Sequence, residues 1–485
     1  MEDETAVIGS VVTILAIQYG DVWNSSNAKQ VMGSIAFAGT VVGQLVFGYL
    51  SDKWSRTDSL ILSTIILLVS TILTAGSYYH NDAIGMFSVL ITWRFFVGIG
   101  IGGEYPAGSV ACVESTGTLK SSTRNTWFIL FTNTMINWGF VFGAFVPYVV
   151  SAACHNQHLE TIWRVSLGIG AVFPAVLLVL RSSVQEPEPF QKHSMKHTKT
   201  PYRLVLRFYG LRVLAVSLVW FIYDFSAYSF SIYSSTILSN LLGTSSQSPA
   251  LTTIFGWNTV LNLFYIPGSL LGAPLSDLLG PRYALTLGVL LQAAAGFAIS
   301  ARYADLTAPG RSVAGFAAAY GAFLSLGELG PGNNIGLVAA AVCATGVRGQ
   351  CYGVASAMGK VGAFVGTLVF PYVAAAGKRV VGSEVGAAQY PFWVASGMCV
   401  LAAGLVLVGV PGRVGREGVE VEDERFREFL EQNGFDTATM GLRKDGEANG
   451  EGARENVETV GPREEKKDGE NGDGDTQRPS EGIQG

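Results

Sequence analysis

The sequence predicts an all-α membrane protein, a helical bundle of about eleven spanning segments built from two related halves. The 485-residue chain is 49% hydrophobic and only 14% charged, whereas an average soluble domain has about 25% charged residues. Eleven apolar stretches approach or exceed the roughly 20 residues that a membrane helix needs. Several motifs also recur at one offset along the chain. These observations exclude a large soluble enzyme.

The apolar stretches form a group of five and a group of six, separated by a charged segment. In chain order they lie near 30–50, 59–79, 85–108, 126–150, 162–181, 211–240, 252–279, 284–301, 312–343, 350–376 and 390–410. A stub from Ala6 to Tyr19 precedes them, and fourteen residues reach only about 21 Å, too short to cross. We therefore expect an N-terminal half at 1–181, a linker at 182–210 and a C-terminal half at 211–410.

The basic residues of the loops predict the orientation, because cytoplasmic loops contain an excess of Lys and Arg. One side holds thirteen of them and the other side six. The richer side should be cytoplasmic, and the tail at 411–485 lies on that side. From residue 413 the tail has 11 basic and 20 acidic residues, a composition typical of disorder. Only Val419 to Leu430 is expected to form a short helix.

The two halves repeat at an offset of about 224 residues. Arg124 and Arg348 each precede a Pro-Tyr-Val triplet by 23 residues, and the Gly-Glu pair at 103–104 recurs at 327–328. Asp52 recurs as Asp277. Parallel repeats are expected of the major facilitator superfamily, which normally has twelve spans. The offset implies that most of a first span is missing; the alternative is a genuine eleven-span protein.

A loop motif reads Gly48-Tyr-Leu-Ser-Asp52-Lys53-Trp-Ser-Arg56 and resembles the loop signature of that superfamily. An Asp there can pair with a basic residue or with a helix end. We predict a gating role, not substrate binding, for this motif and for its weaker copy. The gating residues are Gly48, Asp52, Lys53, Arg56, Asp277 and Arg282.

No metal, cofactor or enzymatic activity is expected. The five Cys form no CxxC pair, which argues against a zinc site. The run from Gly98 to Gly103 matches G-x-G-x-x-G, but it lies inside an apolar span, whereas a dinucleotide site needs a preceding strand and a following helix.

Few charges lie within the spans, and buried ionisable residues in membranes are usually functional. They are Arg94, Glu104, Asp224, Glu328 and Lys360. Trp220, Asp224 and Tyr228 share one helix face because they are spaced by four residues. Asp224 is expected to bind or release a proton, or alternatively to pair with a base that holds the bundle together. Lys360 is expected to bind an anion or to be the partner of Asp224.

Polar residues in two further spans are also candidates, and those of the tenth span are the stronger ones. Asn333 and Asn334 follow Gly-Pro-Gly in the tenth span, where an interrupted helix must line a cavity or be satisfied otherwise. Asn133 and Asn137 are one turn apart and equally fit interhelical contacts. For Glu104 and Glu328, the sequence fits a structural role and a functional role equally well.

The run Gly-Ile-Gly-Ile-Gly-Gly-Glu104-Tyr105-Pro106 resembles the fourth-span signature of phosphate:proton symporters. A Glu at position 104 resembles the corresponding residue of the fungal glycerophosphodiester permeases. The segments around Asp224, Glu328 and Lys360 also resemble those permeases. We expect proton coupling through Asp224 and Glu104, whereas the first-span acid that the family uses for this purpose has no match in this sequence. The resemblance also implies substrate binding by Tyr105, Trp220, Asp224, Tyr228, Asn333 and Lys360.

The resemblance implies proton-coupled uptake of glycerophosphodiesters, such as glycerophosphoinositol or glycerophosphocholine, across the plasma membrane. The expected partners are a small anionic organophosphate, protons and the lipid bilayer. We expect a monomer that binds no nucleic acid. The nearest alternative is an inorganic phosphate:proton symporter. Alternatives of another class are a nutrient sensor that does not transport, or an inactive truncated product.

Overall fold

The computed structural model describes residues 3–117, 119–242, 250–308, 312–382, 387–438 and 440–441. Across these ranges the regular structure is entirely helical. Eleven of the described helical segments are long and apolar enough to cross a membrane. The prediction of an all-α membrane bundle is therefore confirmed.

Eight of the described helices form the six spanning segments of the N-terminal half. Two of these segments each consist of two consecutive helices. The helices are α1 (Asp3–Ser25), α2 (Ala28–Lys53), α3 (Arg56–Ala75), α4 (Ala83–Thr116), α5 (Arg124–Phe131), α6 (Asn133–Ala153), α7 (Leu159–Ile169) and α8 (Val172–Arg181). Helices α5 and α6 form one span, Arg124–Ala153, and α7 and α8 form another, Leu159–Arg181.

A short helix α9 (Glu188–His193) follows, and the C-terminal half then repeats the arrangement. Its helices are α10 (Tyr202–Leu242), α11 (Leu251–Leu263), α12 (Tyr265–Leu279), α13 (Pro281–Ala301), α14 (Tyr303–Leu306), α15 (Val313–Gly327), α16 (Asn333–Ala341), α17 (Arg348–Val381) and α18 (Gln389–Gly409). A π-helical turn, Glu328–Gly332, joins α15 to α16. Helix α10 begins nine residues before the expected boundary at 211, because its charged first turns are helical without being apolar.

The first helix is longer than the stub that the sequence predicts. Helix α1 has 23 residues, and the part from Ala6 to Ser25 is long and apolar enough to cross. Gly20 has a φ of 43°, a conformation that glycine adopts without steric strain. The chain therefore kinks at Gly20 and continues as helix, and Trp23 beyond the kink is fully buried.

Part of the predicted disordered tail is an amphipathic helix, α19 (Val419–Gln432). Phe426 and Leu430 are fully buried, and the ring of Phe426 lies 5.1 Å from that of Tyr209 in α10. The short helix expected at Val419 to Leu430 is thus present, and apolar residues spaced by three and four among its charges allow it to pack against the bundle. Residues from 442 onward lie outside the described part of the chain.

Replacing Phe426 with Ala should release this tail helix from the bundle. Deletion of a fully buried Phe side chain costs about 3–5 kcal/mol in a packed core, so protease should cleave residues 419–432 much faster than in the unmodified chain. Limited proteolysis followed by mass spectrometry measures the rate. Val421→Ala is the control, since Val421 is 36% exposed. Equal resistance of the two variants would contradict the docking of α19.

Candidate functional site

A cavity with about 920 Å³ of empty space lies between the two halves. Side chains of α4, α5 and α6 line one side, and side chains of α10, α12, the π-helical turn and α17 line the other. All six residues that the resemblance assigns to substrate binding line this cavity: Tyr105, Trp220, Asp224, Tyr228, Asn333 and Lys360. Residues from sequence positions 105 to 360 therefore converge on one place.

An ion pair lies at the centre of the cavity wall. The Lys360 Nζ atom is 3.2 Å from Oδ2 of Asp224, and both side chains are 3% exposed. A charge removed from water needs a partner of opposite sign. The ion-pair role and the site role considered for Asp224 and Lys360 are therefore compatible. Each group neutralises the other, and both remain within reach of a solute in the cavity.

Aromatic side chains surround the ammonium group of Lys360. Its Nζ atom lies 3.7 Å from the ring centroid of Tyr228 and 4.8 Å from that of Tyr105. It also donates a hydrogen bond to the Tyr228 hydroxyl. The hydroxyl oxygens of Tyr105 and Tyr228 are 3.2 Å apart. Trp220 packs edge-on against Tyr352 at 5.5 Å. The result is an ammonium beside two phenol hydroxyls, a donor set suited to phosphate oxygens.

A second carboxylate, Glu328, lines the same cavity without a basic partner among the described residues. Its Oε2 atom accepts hydrogen bonds from Asn133 at 2.7 Å and from Asn137 at 3.0 Å. Its Oε1 atom accepts one from the Tyr223 hydroxyl at 3.0 Å. The two asparagines thus connect α6 to the π-helical turn. Asn133 and Asn137 therefore make the interhelical contacts considered for them, and the residue they contact, Glu328, also lines the cavity.

Asn333 is held in place by neighbouring polar groups. Its Oδ1 atom accepts from Asn133 at 2.8 Å and from the Ser269 hydroxyl at 3.0 Å. Its Nδ2 atom donates to the Ser269 carbonyl at 2.9 Å. Asn334 instead donates back to the Gly330 carbonyl at 2.8 Å, so it satisfies the backbone beside Pro331. Asn333 lines the cavity, and Asn334 does not.

Glu104 does not line the cavity, unlike its chain neighbour Tyr105. Its Oε1 atom is 2.6 Å from Arg181 and accepts hydrogen bonds from Ser63 and Thr64. Glu104 therefore ties α4 to α3 and α8 within the N-terminal half. Its role in proton coupling stays a prediction, and its position differs from that of Asp224.

At one end of the bundle, Asp52 joins the two halves. Its carboxylate accepts hydrogen bonds from the backbone N–H groups of Gly349 and Gln350 at 2.9 and 2.8 Å. These are the first free N–H groups of α17, where a negative charge is favoured. Gly48 lies one turn earlier, and a Cβ atom there would lie 2.8 Å from the Gly349 carbonyl oxygen. Glycine is needed at position 48 because α2 and α17 approach so closely.

The repeat-related residue, Asp277, makes the equivalent contact in the opposite direction, from the C-terminal half to the N-terminal half. Asp277 of the C-terminal half accepts hydrogen bonds from the backbone N–H groups of Asn125 and Thr126 at 3.1 and 2.9 Å. Positions 125 and 126 are related to 349 and 350 by the repeat offset of 224. Each half therefore caps a helix of the other half. We call Asp52, Asp277 and the two helix ends they cap the reciprocal caps.

Buried ion pairs reinforce the Asp52 cap. Arg56 contacts Asp52 at 2.6 Å and Glu114 at 3.0 Å, and Glu114 contacts Arg348 of the other half at 2.9 Å. Lys53 donates to two carbonyls of the linker, each at 2.8 Å. The remaining predicted gating residue, Arg282, donates to the Leu407 carbonyl within its own half. Arg56 also donates to the Thr345 carbonyl of the other half at 3.0 Å. The structure thus places five of the six predicted gating residues at contacts between the halves or with the linker.

Removing either reciprocal cap should loosen this end of the bundle, and removing Asp52 should have the larger effect because Asp52 also pairs with the buried Arg56. Replacing a capping Asp with Ala costs about 1 kcal/mol, so Asp52→Ala and Asp277→Ala should each enlarge the population in which the halves are separated. Spin labels on cysteines introduced at the exposed positions Lys120 and Leu278 report that distance. Asp82→Ala is the control, because Asp82 caps α4 within one half. Unchanged distances in both cap variants would rule out this role.

The sequence did not single out Tyr223, Phe140 or Tyr265, which also line the cavity. Tyr223 was detectable, since it immediately precedes Asp224 and lies one turn after Trp220. Phe140 and Tyr265 carried no such signal, because an aromatic residue in an apolar span most often packs against lipid or neighbouring helices.

Two halves that enclose a cavity with buried charged side chains and cap each other at one end are typical of a membrane transporter fold. The structure is similar to that of the MFS (major facilitator superfamily) proton:xylose symporter XylE, with a TM-score of 0.70, 17% identity, and coverage of 87% of this chain and 95% of that chain. This likeness confirms the fold that the internal repeat predicts.

The chain belongs to the family described as "Sugar (and other) transporter", whose model matches residues 4–195 and 182–424. It is 43% identical to the glycerophosphocholine permease GIT4 of Candida albicans and 41% identical to the major glycerophosphoinositol permease GIT3 of that organism. Each match covers 90% of this chain and 80% of the relative. The inorganic phosphate transporter 1-1 of Oryza sativa is 26% identical, with coverage of 72% and 75%. The predicted resemblance to fungal glycerophosphodiester permeases is confirmed.

Proposed function

We propose that this chain is a secondary active transporter that takes up glycerophosphodiesters together with protons across the plasma membrane. The observation that supports the proposal most directly is the Lys360–Asp224 ion pair on the wall of the cavity. The names of the similar Candida permeases supply the substrate class. We further propose that the reciprocal caps and the tail face the cytoplasm, and that the chain acts as a monomer.

The ion pair provides a physical route to proton coupling. Among the residues described around the cavity, Lys360 is the single basic side chain. A phosphodiester that accepts hydrogen bonds from Lys360 and the Tyr105 and Tyr228 hydroxyls places a second negative charge beside Asp224. Two anions that share one ammonium in a desolvated site repel each other strongly. Protonation of Asp224 removes that repulsion, so substrate and proton bind together.

Movement of the two halves would then carry the occupied site across the membrane. In this family of folds, one repeat rocks against the other around a fixed central site. The reciprocal caps must break when their end opens and form again when it closes. Each cap is a charge at a helix end and contributes about 1 kcal/mol, which is small enough to be exchanged in every cycle.

Uptake measurements test the proposal. The chain is expressed in cells that lack their own carriers, and uptake of labelled glycerophosphoinositol, glycerophosphocholine and phosphate is measured against external pH. We expect uptake of a glycerophosphodiester that rises as the external pH falls. Uptake of phosphate alone would select the inorganic phosphate symporter instead. Binding of a solute without uptake would select a sensor, and neither binding nor uptake would reject the transporter function.

A further inference from the structure

Glu328, a buried carboxylate in the cavity wall, is not used in the proposed proton-coupling step. Glu328 is 6% exposed and begins the π-helical turn Glu328–Gly332, which contains Pro331. Such turns occur most often at functional sites. The interrupted helix directs this side chain to the cavity that also holds Lys360 and Asp224. The cavity therefore holds two carboxylates and one ammonium.

The hydrogen-bonding capacity of Glu328 is largely used within the protein. Asn133 and Asn137 donate to Oε2, and Tyr223 donates to Oε1. An ionised carboxylate has about four acceptor positions, so these donors occupy most of them. All of them are neutral, and no basic group pairs with Glu328 in the described ranges. When Glu328 is ionised, its negative charge therefore lies at a site that can accept few further hydrogen bonds.

Aromatic rings line the same cavity as this carboxylate. Phe323 lies about one turn before Glu328 in α15, and Phe140 lies one turn after Asn137 in α6. The ring centroids of Phe140 and Tyr265 are 5.6 Å apart. Ring faces attract cations, and quaternary ammonium groups are bound by such rings because they have no N–H to donate.

We infer that Glu328 and the neighbouring rings form a headgroup subsite that favours a cationic alcohol such as choline. The inference rests on the proposed function, because it places the phosphodiester at Lys360. Tyr223 contacts Glu328, and its chain neighbour Asp224 contacts Lys360. Lys360 and Glu328 line the same cavity, so one small molecule in that cavity can reach both charges. Glycerophosphocholine has its ammonium and its phosphate joined by a short ethylene link.

The charge balance of the cavity favours the same ligand. A zwitterion places its negative group at Lys360 and its positive group at Glu328, so its binding adds no net charge. Glycerophosphoinositol lacks the positive group, and its hydroxyls would have to donate to a carboxylate whose acceptor positions are mostly filled. Glu328 therefore determines headgroup specificity and is separate from the proton-coupling carboxylate.

The test is the ratio of KM values for glycerophosphocholine and glycerophosphoinositol uptake in the full chain. Glu328→Gln keeps the side-chain shape and removes the charge, so it should raise KM for glycerophosphocholine about tenfold relative to glycerophosphoinositol, which corresponds to the loss of one favourable contact. Glu328→Asp should preserve most of the preference. The exposed Glu160, which pairs with Arg164, provides the Glu160→Gln control. The ratio does not depend on how much of a variant folds.

An unchanged ratio in Glu328→Gln, including an equal loss of both activities, would overturn the headgroup subsite while leaving the transporter function intact. If the unmodified chain takes up neither compound, the proposed function fails instead. In that case, calorimetric binding of the same two compounds to the purified chain and to Glu328→Gln still decides the role of Glu328. A selective loss of glycerophosphocholine affinity supports the subsite, and equal affinities reject it.

Discussion

Replacing Lys360 with Met should reduce glycerophosphodiester uptake by at least about a hundredfold. The substitution removes the single basic group described around the cavity and leaves Asp224 buried without its ammonium partner. Breaking a buried ion pair from one side costs about 3–5 kcal/mol, which corresponds to a factor of roughly 150 to several thousand. Initial uptake rates of labelled glycerophosphocholine, normalised to the amount of protein in the membrane, measure the effect.

Two further variants separate binding from folding. Lys360→Met combined with Asp224→Asn removes both charges, so it should restore the amount of folded protein without restoring uptake. Lys192→Met is the matched control, because Lys192 is 62% exposed and pairs only with Glu188 among described residues. Uptake by the double variant at the normal rate would show that Lys360 does not bind the phosphate group.

Asp224→Asn should abolish accumulation driven by a pH gradient while permitting substrate exchange. Asparagine keeps the size and a hydrogen-bonding oxygen toward Lys360, but it cannot gain or lose a proton. In vesicles with an imposed gradient, the variant should bring substrate to equal concentrations on both sides and no further. Counterflow of labelled substrate should continue, because it requires no net proton movement.

The corresponding control is Asp305→Asn, a change at an exposed residue that does not line the cavity. It should accumulate substrate like the unmodified chain. Gradient-driven accumulation by Asp224→Asn at the normal level would remove Asp224 from the proton step. Glu104, which pairs with Arg181, would then be the next carboxylate to test.

The fold was predictable because apolar length and a repeat offset are direct properties of the sequence. Asp52 and Asp277 were recognised as a related pair from the offset alone, and the structure adds that each caps a helix of the opposite half. The convergence of Trp220, Asp224 and Tyr228 followed from helical spacing. These features depend on periodicity, which can be recognised in the sequence without knowledge of tertiary contacts.

Other features depend on partners that are distant in sequence, and periodicity does not predict them. The roles of Glu104 and Glu328 looked equivalent because they share the repeat offset. In the structure, Glu104 meets Arg181 outside the cavity, whereas Glu328 meets Asn133, Asn137 and Tyr223 on the cavity wall. Likewise, the sequence predicted a short helix at Val419 to Leu430 in the tail, but not that this helix packs against α10.

The position of α19 links the tail thermodynamically to the motion of the bundle. Its Asp423 accepts a hydrogen bond from Thr345 in the C-terminal half, and Gly415 just before it accepts one from Asn125 in the N-terminal half. Asn125 is also a member of the reciprocal caps. A segment bound to both halves has different affinities for their joined and separated states. By reciprocity, any molecule that captures the free tail favours separation of the halves, and each separation in turn makes the tail easier to capture.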